Sequence, residues 1–352
     1  MDPELPGTVV ELEAMAETRV DKLAWDYIAH GSGDEITMRD NIAAWGRLRL
    51  RPHVLRDMSD VRTATSVLGS PIDLPVIIAP TAMHRFYCDE GELATARAAA
   101  RAGTVMVVSM AATTSLEDVA AEAPGAPQWA QMYMLRDRGL TRSLAERARD
   151  AGYRALMVSV DGAAIPKRSR LSGGALTPPA SFRFPNLAPP GTDNADLMGM
   201  VDFDPSVTVD DLARFREWSD LPIVAKGVIR GDDAAACVDA GVAAIAVSNH
   251  GGRTLDGTIA TADALADVVE GVGSRAEVYV DGGIRNGSDI VKALALGARA
   301  VMIGRPVLWG LAVAGEDGAA GVLGMLADDT RRAMALCGAD RTEAVTPDFV
   351  AR

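Results

Sequence analysis

From residue 74 onward, short apolar runs alternate with alanine-rich segments whose apolar residues have helical spacing. Several helical segments end in a glycine, the residue favoured just past a helix C-terminus. Continuous apolar strands separated by helices are typical of a parallel sheet covered on both faces. The predicted strands are residues 74–80, 104–110, 128–134, 155–161, 222–228, 243–249, 276–282 and 299–304, and the clearest helices are residues 92–102, 140–151, 232–240 and 288–296.

Eight strand–helix units predict one α/β domain over residues 1–352, with a closed (β/α)8 TIM barrel at residues 74–340. An open doubly wound sheet is the alternative, although no Gly-x-Gly-x-x-Gly motif follows the first strand. Residues 1–70 form an N-terminal helical extension, with predicted helices at residues 9–20 and 23–30. Residues 166–207 follow strand four, are rich in proline and glycine, and are predicted to be a lid loop.

Composition narrows the classes of function. Hydrophobic residues make up 48% of the chain, and the net charge of −13 disfavours nucleic acid and anionic membrane as partners. The longest apolar runs are shorter than about ten residues, and such runs are too short to span a bilayer. The cysteines Cys88, Cys237 and Cys337 are odd in number and widely spaced, so neither a disulfide framework nor a metal site is expected. These features predict a soluble cytoplasmic protein.

Polar residues follow every predicted strand, at the end where barrel enzymes carry their catalytic groups. A single polar residue at a strand end is often only a solvated edge, but eight strand ends that converge on one rim predict an active site. The residues are Pro80, Thr81 and Ala82 after strand one, Ser109, Gln131, Tyr133, Ser159, Asp161, Lys226, Ser248 and His250 along strands two to six, and Asp281, Gly282, Gly283, Gly304 and Arg305 after strands seven and eight.

The glycine-rich sequence from Asp281 to Gly287 leads into a predicted helix and is typical of a phosphate site. Arg285 within it can add a charge-assisted hydrogen bond, and Gly304-Arg305 supplies a second wall. The alternative is a pair of ordinary strand–helix turns.

Lys226 has three possible roles from the sequence: a Schiff-base amine, a fixed cation that stabilises negative charge on a cofactor, or a salt-bridged barrel lysine. His250 can accept a proton near neutral pH, and Asp161 can orient its ring. Arg253 and Arg168 can bind a carboxylate from two sides. This set suits a small substrate that has a carboxylate and an acidic or oxidisable neighbouring group.

The stretch Ser248-Asn249-His250-Gly251-Gly252-Arg253, taken with Asp281-Gly282-Gly283-Ile284-Arg285 and Gly304-Arg305-Pro306, resembles the FMN-dependent 2-hydroxy acid oxidases and dehydrogenases. Glycolate oxidase, lactate oxidase, mandelate dehydrogenase and hydroxymandelate oxidase belong to this family. The resemblance covers nearly the whole chain, from Asp26-Tyr27 onward, and the combination of motifs is far more specific than any one of them.

The resemblance implies FMN as the cofactor and assigns residues to it. Lys226 faces the pyrimidine end of the flavin ring, Asp281 binds the ribityl chain, and this assignment decides against a Schiff base. The residues implied around the ring are Pro80, Thr81, Ala82, Ser109, Gln131, Ser159 and Ser248, and those implied at the phosphate are Gly282, Gly283, Arg285, Gly304 and Arg305.

The resemblance also implies the substrate site. Arg168 and Arg253 match the pair that binds the carboxylate, and Tyr27 and Tyr133 match tyrosines that contact the substrate oxygens. His250, paired with Asp161, takes the proton of an L-2-hydroxy acid, and the product is a 2-oxo acid. The same residues would serve a hydride route or a carbanion route. They would also serve an enzyme whose flavin is reoxidised by oxygen or by another electron acceptor. Relatives are commonly tetramers or octamers, so a homo-oligomer is expected.

Ala111 departs from the family pattern, because glycolate oxidase-like members carry a tryptophan there. A small residue opens the substrate pocket and favours a larger, aryl 2-hydroxy acid such as mandelate or 4-hydroxymandelate. Other possibilities are a related FMN barrel that oxidises an amine or a peptide-derived substrate, a flavin-assisted isomerase, and a flavin-binding protein without hydroxy acid activity. The paired arginines and His250 favour the hydroxy acid.

Overall fold

The computed structural model describes residues 5–166, 178–187 and 202–351. Three helices precede the barrel: α1 (Val9–Glu17), α2 (Lys22–Ala29) and α3 (Ile36–Arg47). Two of them correspond to the predicted helices at residues 9–20 and 23–30, while α3 was not predicted. The strand β1 (Arg49–Leu50) pairs with β12 (Val350–Ala351), which joins the N-terminal extension to the C-terminal end of the chain.

A short hairpin closes the amino-terminal end of the barrel. It consists of β2 (Thr65–Val67) and β3 (Ser70–Ile72), and it therefore crosses residue 70, where the extension was predicted to end. Val67 and Ile72 are fully buried among the side chains of the barrel interior. The Leu68 amide donates to the Glu277 carboxylate, which fixes the hairpin turn to the barrel.

Eight parallel strands form a closed barrel in the order β10-β11-β4-β5-β6-β7-β8-β9. Each strand ends within two residues of the end of the corresponding predicted apolar run. The predicted (β/α)8 fold is therefore confirmed. The barrel strands are β4 (Val76–Ile78), β5 (Met106–Ser109), β6 (Gln128–Met132), β7 (Ala155–Ser159), β8 (Ile223–Val228), β9 (Ala244–Val247), β10 (Glu277–Val280) and β11 (Ala300–Ile303).

Alternate residues of these strands point inward and fill the barrel. Trp129 and Tyr279 face each other there with ring centroids 5.5 Å apart, and Met157 and Met302 complete the packing. The remaining strand residues pack against the helices outside. The barrel interior is therefore a packed core rather than a ligand cavity.

The helices outside the barrel alternate with the strands. They are α4 (Glu92–Arg101), α5 (Leu116–Glu122), α6 (Arg138–Asp150), α7 (Leu212–Ser219), α8 (Gly231–Asp239), α9 (Thr261–Val272), α10 (Gly287–Ala295) and α11 (Arg305–Cys337). Helix α11 is interrupted at Ala314 and Gly315. By length and composition α11 could cross a membrane, and half of its most apolar stretch is buried inside the fold.

The predicted lid loop, residues 166–207, lies largely outside the described residues. Its described middle part, residues 178–187, is attached to the barrel through the buried Asn186. The Asn186 side chain donates to the Thr114 carbonyl at 3.1 Å and accepts from the Leu116 amide at 3.0 Å. These contacts place the neighbouring residue, Leu187, over the strand ends.

Candidate active site

A cavity of about 240 Å³ lies at the mouth of the barrel, and every barrel strand contributes to its lining at the carboxyl end. Most of the residues predicted from the sequence line it: Tyr27, Pro80, Thr81, Ala82, Ser109, Ala111, Gln131, Tyr133, Ser159, Lys226, His250, Arg253, Asp281, Gly282, Gly283, Arg285, Gly304 and Arg305. Asp161 and Ser248 lie behind this lining and contact it by hydrogen bonds. Arg168 lies outside the described residues.

A tight turn after β9 presents His250 to the cavity. His250 has a φ of 58°, and Gly251 and Gly252 continue with φ of 64° and 74°. A left-handed backbone costs a residue with a side chain about 1–3 kcal/mol, and such strain is concentrated at functional sites. The His250 amide donates to Ser248 Oγ at 3.1 Å, which helps to hold the turn. A side chain at position 252 would lie 2.6 Å from the Met38 amide nitrogen, so glycine is required there.

His250 and Asp161 form a hydrogen-bonded pair, with His250 Nδ1 3.0 Å from Asp161 Oδ2. Burial lowers the pKa of His250, and the Asp161 carboxylate opposes this shift without cancelling it. For Asp161, burial acts to raise the pKa, but the imidazole and the Lys226 ammonium outweigh it and hold the pKa below its ordinary value. An ionised Asp161 therefore faces a neutral His250, whose second nitrogen, Nε2, can accept a proton.

Arg253 links the turn after β9 to the C-terminal end of α2. Its Nη1 donates to the Tyr27 carbonyl at 2.6 Å and to the His30 carbonyl at 3.2 Å, and its guanidinium lies 4.8 Å from the centroid of the Tyr27 ring. These carbonyls belong to the last turn of α2 and to its C-cap, His30, where a carbonyl has no partner within the helix. Arg253 thereby holds Tyr27 at the cavity and brings a positive charge beside it.

Lys226 belongs to a buried network with Ser248 and Asp281. Its Nζ donates to Ser248 Oγ at 3.0 Å and lies 3.4 Å from Asp281 Oδ2, to which Ser248 Oγ donates at 2.9 Å. The second oxygen, Asp281 Oδ1, is buried and has no hydrogen-bond partner among the described residues. A buried carboxylate oxygen normally has a partner, so Asp281 Oδ1 is suited to a ligand hydroxyl.

A second row of hydrogen bonds crosses the floor of the cavity. Gln131 Nε2 donates to Ser159 Oγ at 3.0 Å, and Ser109 Oγ donates to Gln131 Oε1 at 3.2 Å. Ser109 Oγ also accepts from the Ala111 amide at 3.2 Å. These bonds fix the amide orientation of Gln131 and place Ala111 at the cavity wall.

Arg285 and Arg305 line the cavity beside the amino-terminal ends of α10 and α11. Burial lowers the pKa of Arg285, and its guanidinium is held 4.9 Å from the centroid of the Trp309 ring. Arg305 Nε donates to the Ile28 carbonyl at 2.7 Å. A side chain on Gly283 would lie 2.1 Å from the Asn41 carbonyl oxygen, because α3 packs directly on this loop.

Together these features fit FMN. Two arginines near helix ends suit a phosphate. The buried Asp281 Oδ1 suits a hydroxylated chain, and the Lys226 cation suits a ring that becomes negatively charged. Lys226 Nζ donates to Ser248 Oγ and pairs with the Asp281 carboxylate, which is the arrangement of a fixed cation rather than of a Schiff-base amine.

Several lining residues were missed by sequence reasoning: Ile28, Met110, Leu187, Phe203 and Leu308. They are apolar residues on loops or helix ends, where no periodic pattern marks them.

Asn41, which contacts the turn after β9, was also missed by sequence reasoning. It exchanges two side-chain hydrogen bonds of 2.8 Å with Asn249, and this contact joins α3 to the turn that carries His250. The only available signal was that Asn249 stands within the His250 motif.

Comparison with known proteins gives a consistent result. The family model for FMN-dependent dehydrogenases matches residues 16–352. An L-lactate oxidase from Nostoc sp. is 46% identical over 98% of each chain. The 2-hydroxyacid oxidase 1 of Homo sapiens is 40% identical, over 97% of this chain and 95% of that protein. The chain is also similar to a crystal structure of mandelate oxidase with (S)-4-hydroxymandelic acid, with a TM-score of 0.91 and 37% sequence identity. The match covers 98% of this chain and 98% of that one.

Proposed function

We propose that this chain, which belongs to the family of FMN-dependent dehydrogenases, oxidises L-2-hydroxy acids that carry a large, preferably aryl, side chain. The activity common to the family and its relatives is FMN-dependent oxidation of a 2-hydroxy acid to a 2-oxo acid, and it is the activity of this chain. The observation that carries the proposal is the His250–Asp161 pair beside Arg253, Tyr27 and a cavity of about 240 Å³.

The preference for a large side chain is supported by the wall of the cavity. Ala111 leaves space where a tryptophan would fill it, and Met110, Leu187 and Phe203 make the surroundings apolar. One similar structure is a mandelate oxidase with (S)-4-hydroxymandelic acid. Because one relative is an L-lactate oxidase, lactate is the alternative substrate to compare. Lactate carries a methyl group on the hydroxylated carbon, where mandelate carries a phenyl group.

The chain's own residues can bind and activate such an acid. The Arg253 guanidinium neutralises the substrate carboxylate, and Arg168, outside the described residues, is proposed as its second partner. Tyr27 and Tyr133 lie at the cavity beside it. His250 Nε2 accepts the hydroxyl proton, and the Asp161 carboxylate stabilises the imidazolium that forms.

FMN, when bound, supplies the two-electron acceptor for the substrate's Cα–H bond. Arg285 and Arg305 would hold its phosphate, Asp281 its ribityl hydroxyls, and Lys226 the pyrimidine end of its ring. The ammonium of Lys226 stabilises negative charge there, since it is buried and already oriented by Ser248.

Oxygen is proposed as the electron acceptor, because the relatives are oxidases by name. We also propose that the protein is a soluble, cytoplasmic homotetramer or octamer, with neither nucleic acid nor membrane as a partner. Its acidic charge of −13 supports the last point. Light scattering measures the oligomeric state directly.

A substrate panel tests the proposal. The purified yellow protein is given (S)-lactate, (S)-mandelate, (S)-4-hydroxymandelate and an amine, while peroxide formation and dye reduction are followed in parallel. The proposal predicts the highest kcat/KM with the aryl acids and stoichiometric peroxide. A preference for lactate would contradict the aryl assignment, and turnover of the amine alone would contradict the function.

A further inference from the structure

A short segment at the end of the predicted lid, residues 202–204, is fastened to the loop after β6. Phe203 forms an antiparallel bridge with Leu135. The Arg136 amide donates to the Asp202 carbonyl at 3.0 Å, and the Asp204 amide donates to the Met134 carbonyl at 3.1 Å. Backbone hydrogen bonds on both sides of Phe203 therefore fix its direction relative to the barrel.

Two ion pairs flank the same residue. Arg136 Nε lies 2.9 Å from Asp202 Oδ2, and both side chains are largely exposed. Arg138 pairs with Asp204, whose side chain is only 9% exposed. Asp204 Oδ1 also accepts from the amide and the hydroxyl of Ser206, and these bonds lower the pKa of Asp204. The inner pair is thus the stronger anchor, because exposed pairs contribute little.

The anchored segment places the Phe203 ring at the cavity. The ring is 4.5 Å from the Tyr133 ring, centroid to centroid, with an angle of 45° between the planes. Phe203 is half-buried and lines the same cavity as Ala111 and Leu187. One face of this wall is therefore aromatic, while Ala111 leaves room for a bulky group.

We propose that Phe203 is a specificity-determining residue that contacts the substrate's side chain, and that Asp204 positions it. The proposal rests on the function proposed above. Aromatic rings whose centroids lie about 4.5–7 Å apart stabilise each other beyond the effect of their buried area. The Phe203 ring should therefore stabilise binding of an aryl substrate, whereas a methyl group gains no such contact. A purely structural role would instead make Phe203 a support for Tyr133, and its loss would affect all substrates alike.

The test compares (S)-mandelate with (S)-lactate in the holoenzyme, with Phe203→Ala, Phe203→Leu and Asp204→Asn. Phe203→Ala is expected to lower the kcat/KM ratio of mandelate to lactate about tenfold, which corresponds to about 1.4 kcal/mol. Phe203→Leu should have a smaller effect in the same direction. Asp204→Asn should shift the ratio roughly two- to threefold, mainly through the KM for mandelate, because the ring remains but is less well held. Arg136→Gln is the matched control and should leave the ratio unchanged.

Binding of the products gives an independent readout. The affinities for benzoylformate and pyruvate are measured from the change in flavin absorbance, and Phe203→Ala should weaken only the former. FMN content and the melting temperature establish that each variant is folded. Equal losses for both acids would overturn the role of Phe203, and an unchanged ratio in Asp204→Asn would overturn the positioning role. If the unaltered enzyme oxidises neither acid, the proposed function fails instead, and the product affinities still test Phe203.

Discussion

Replacement of Asp161 by asparagine tests the proton-accepting pair at the level of charge alone. The substitution keeps the shape of the side chain and an oxygen that can accept from His250 Nδ1, at present 3.0 Å away. It removes the negative charge that faces the imidazolium formed during turnover. The variant therefore separates electrostatic stabilisation from orientation of the ring.

The size of the effect follows from the distance. Two unit charges 3.0 Å apart interact by about 5 kcal/mol at an effective dielectric constant of about 20. The neutral hydrogen bond that remains in Asp161→Asn would retain part of this, since charge-assisted bonds are roughly twice as strong as neutral ones. A loss of about 2–4 kcal/mol in the transition state lowers kcat by about 30- to 1000-fold.

The pH dependence gives a second, signed prediction. His250 acts in its neutral form, so kcat/KM falls as the pH decreases through the pKa of His250, which burial already places below its ordinary value. Asp161 opposes the effect of burial, whereas Lys226 adds to it. Removal of the Asp161 charge should therefore move the acidic limb of the profile to lower pH.

The assay is anaerobic rapid mixing with the preferred 2-hydroxy acid, followed by bleaching of the flavin absorbance across a pH series. FMN content serves as the control for folding. A rate within about threefold of the unaltered enzyme, or an acidic limb that moves to higher pH, would refute the assignment of Asp161.

Three further substitutions test the cavity wall, a buried carboxylate at the start of α4 and the loop after β10. Ala111→Trp should depress the turnover of mandelate more than that of lactate, since an indole would fill the apolar end of the cavity; equal effects on both acids would count against an aryl pocket. Glu92→Gln should lower the free energy of unfolding at pH 7 by about 2–3 kcal/mol in urea titrations, because Glu92 is buried and accepts from Thr113, Thr114 and the His84 amide. Burial acts to raise the pKa of Glu92, but His84 and Thr113 hold this pKa below its ordinary value. The stabilisation by the ionised Glu92 is therefore complete above about pH 4.3 and is lost as the pH falls through the native pKa. The difference in unfolding free energy between the variant and the unaltered protein should accordingly narrow at acidic pH. Gly283→Ala should abolish retention of FMN after gel filtration, because a methyl group there meets the Asn41 carbonyl oxygen at 2.1 Å; a yellow variant with unchanged affinity would contradict the phosphate site.

The barrel could be predicted from the sequence because its strands are buried on both faces and give continuous apolar runs. The polar residues after those runs could be placed together because parallel strands end at one rim. His250, Asp161 and Lys226 come from three different strands, and the closed order of the barrel puts them within one network.

Contacts between segments far apart in sequence could not be predicted. Asn41 meets Asn249 across 208 residues, and no local pattern marks either amide as part of a pair. Phe203 reaches the cavity because its backbone bridge to Leu135 and the Arg138–Asp204 ion pair fasten its segment to the loop after β6. Apolar residues of loops carry no period, so their place depends on such anchors.

The anaerobic reaction of a His250→Asn variant with the preferred 2-hydroxy acid tests directly whether His250 accepts the substrate proton. We expect the variant to retain FMN and its yellow colour but to be bleached about 100- to 10,000-fold more slowly than the unaltered enzyme, since a positioned base contributes about this much. Bleaching at the unaltered rate, with FMN fully bound, would contradict the role of His250 as the base.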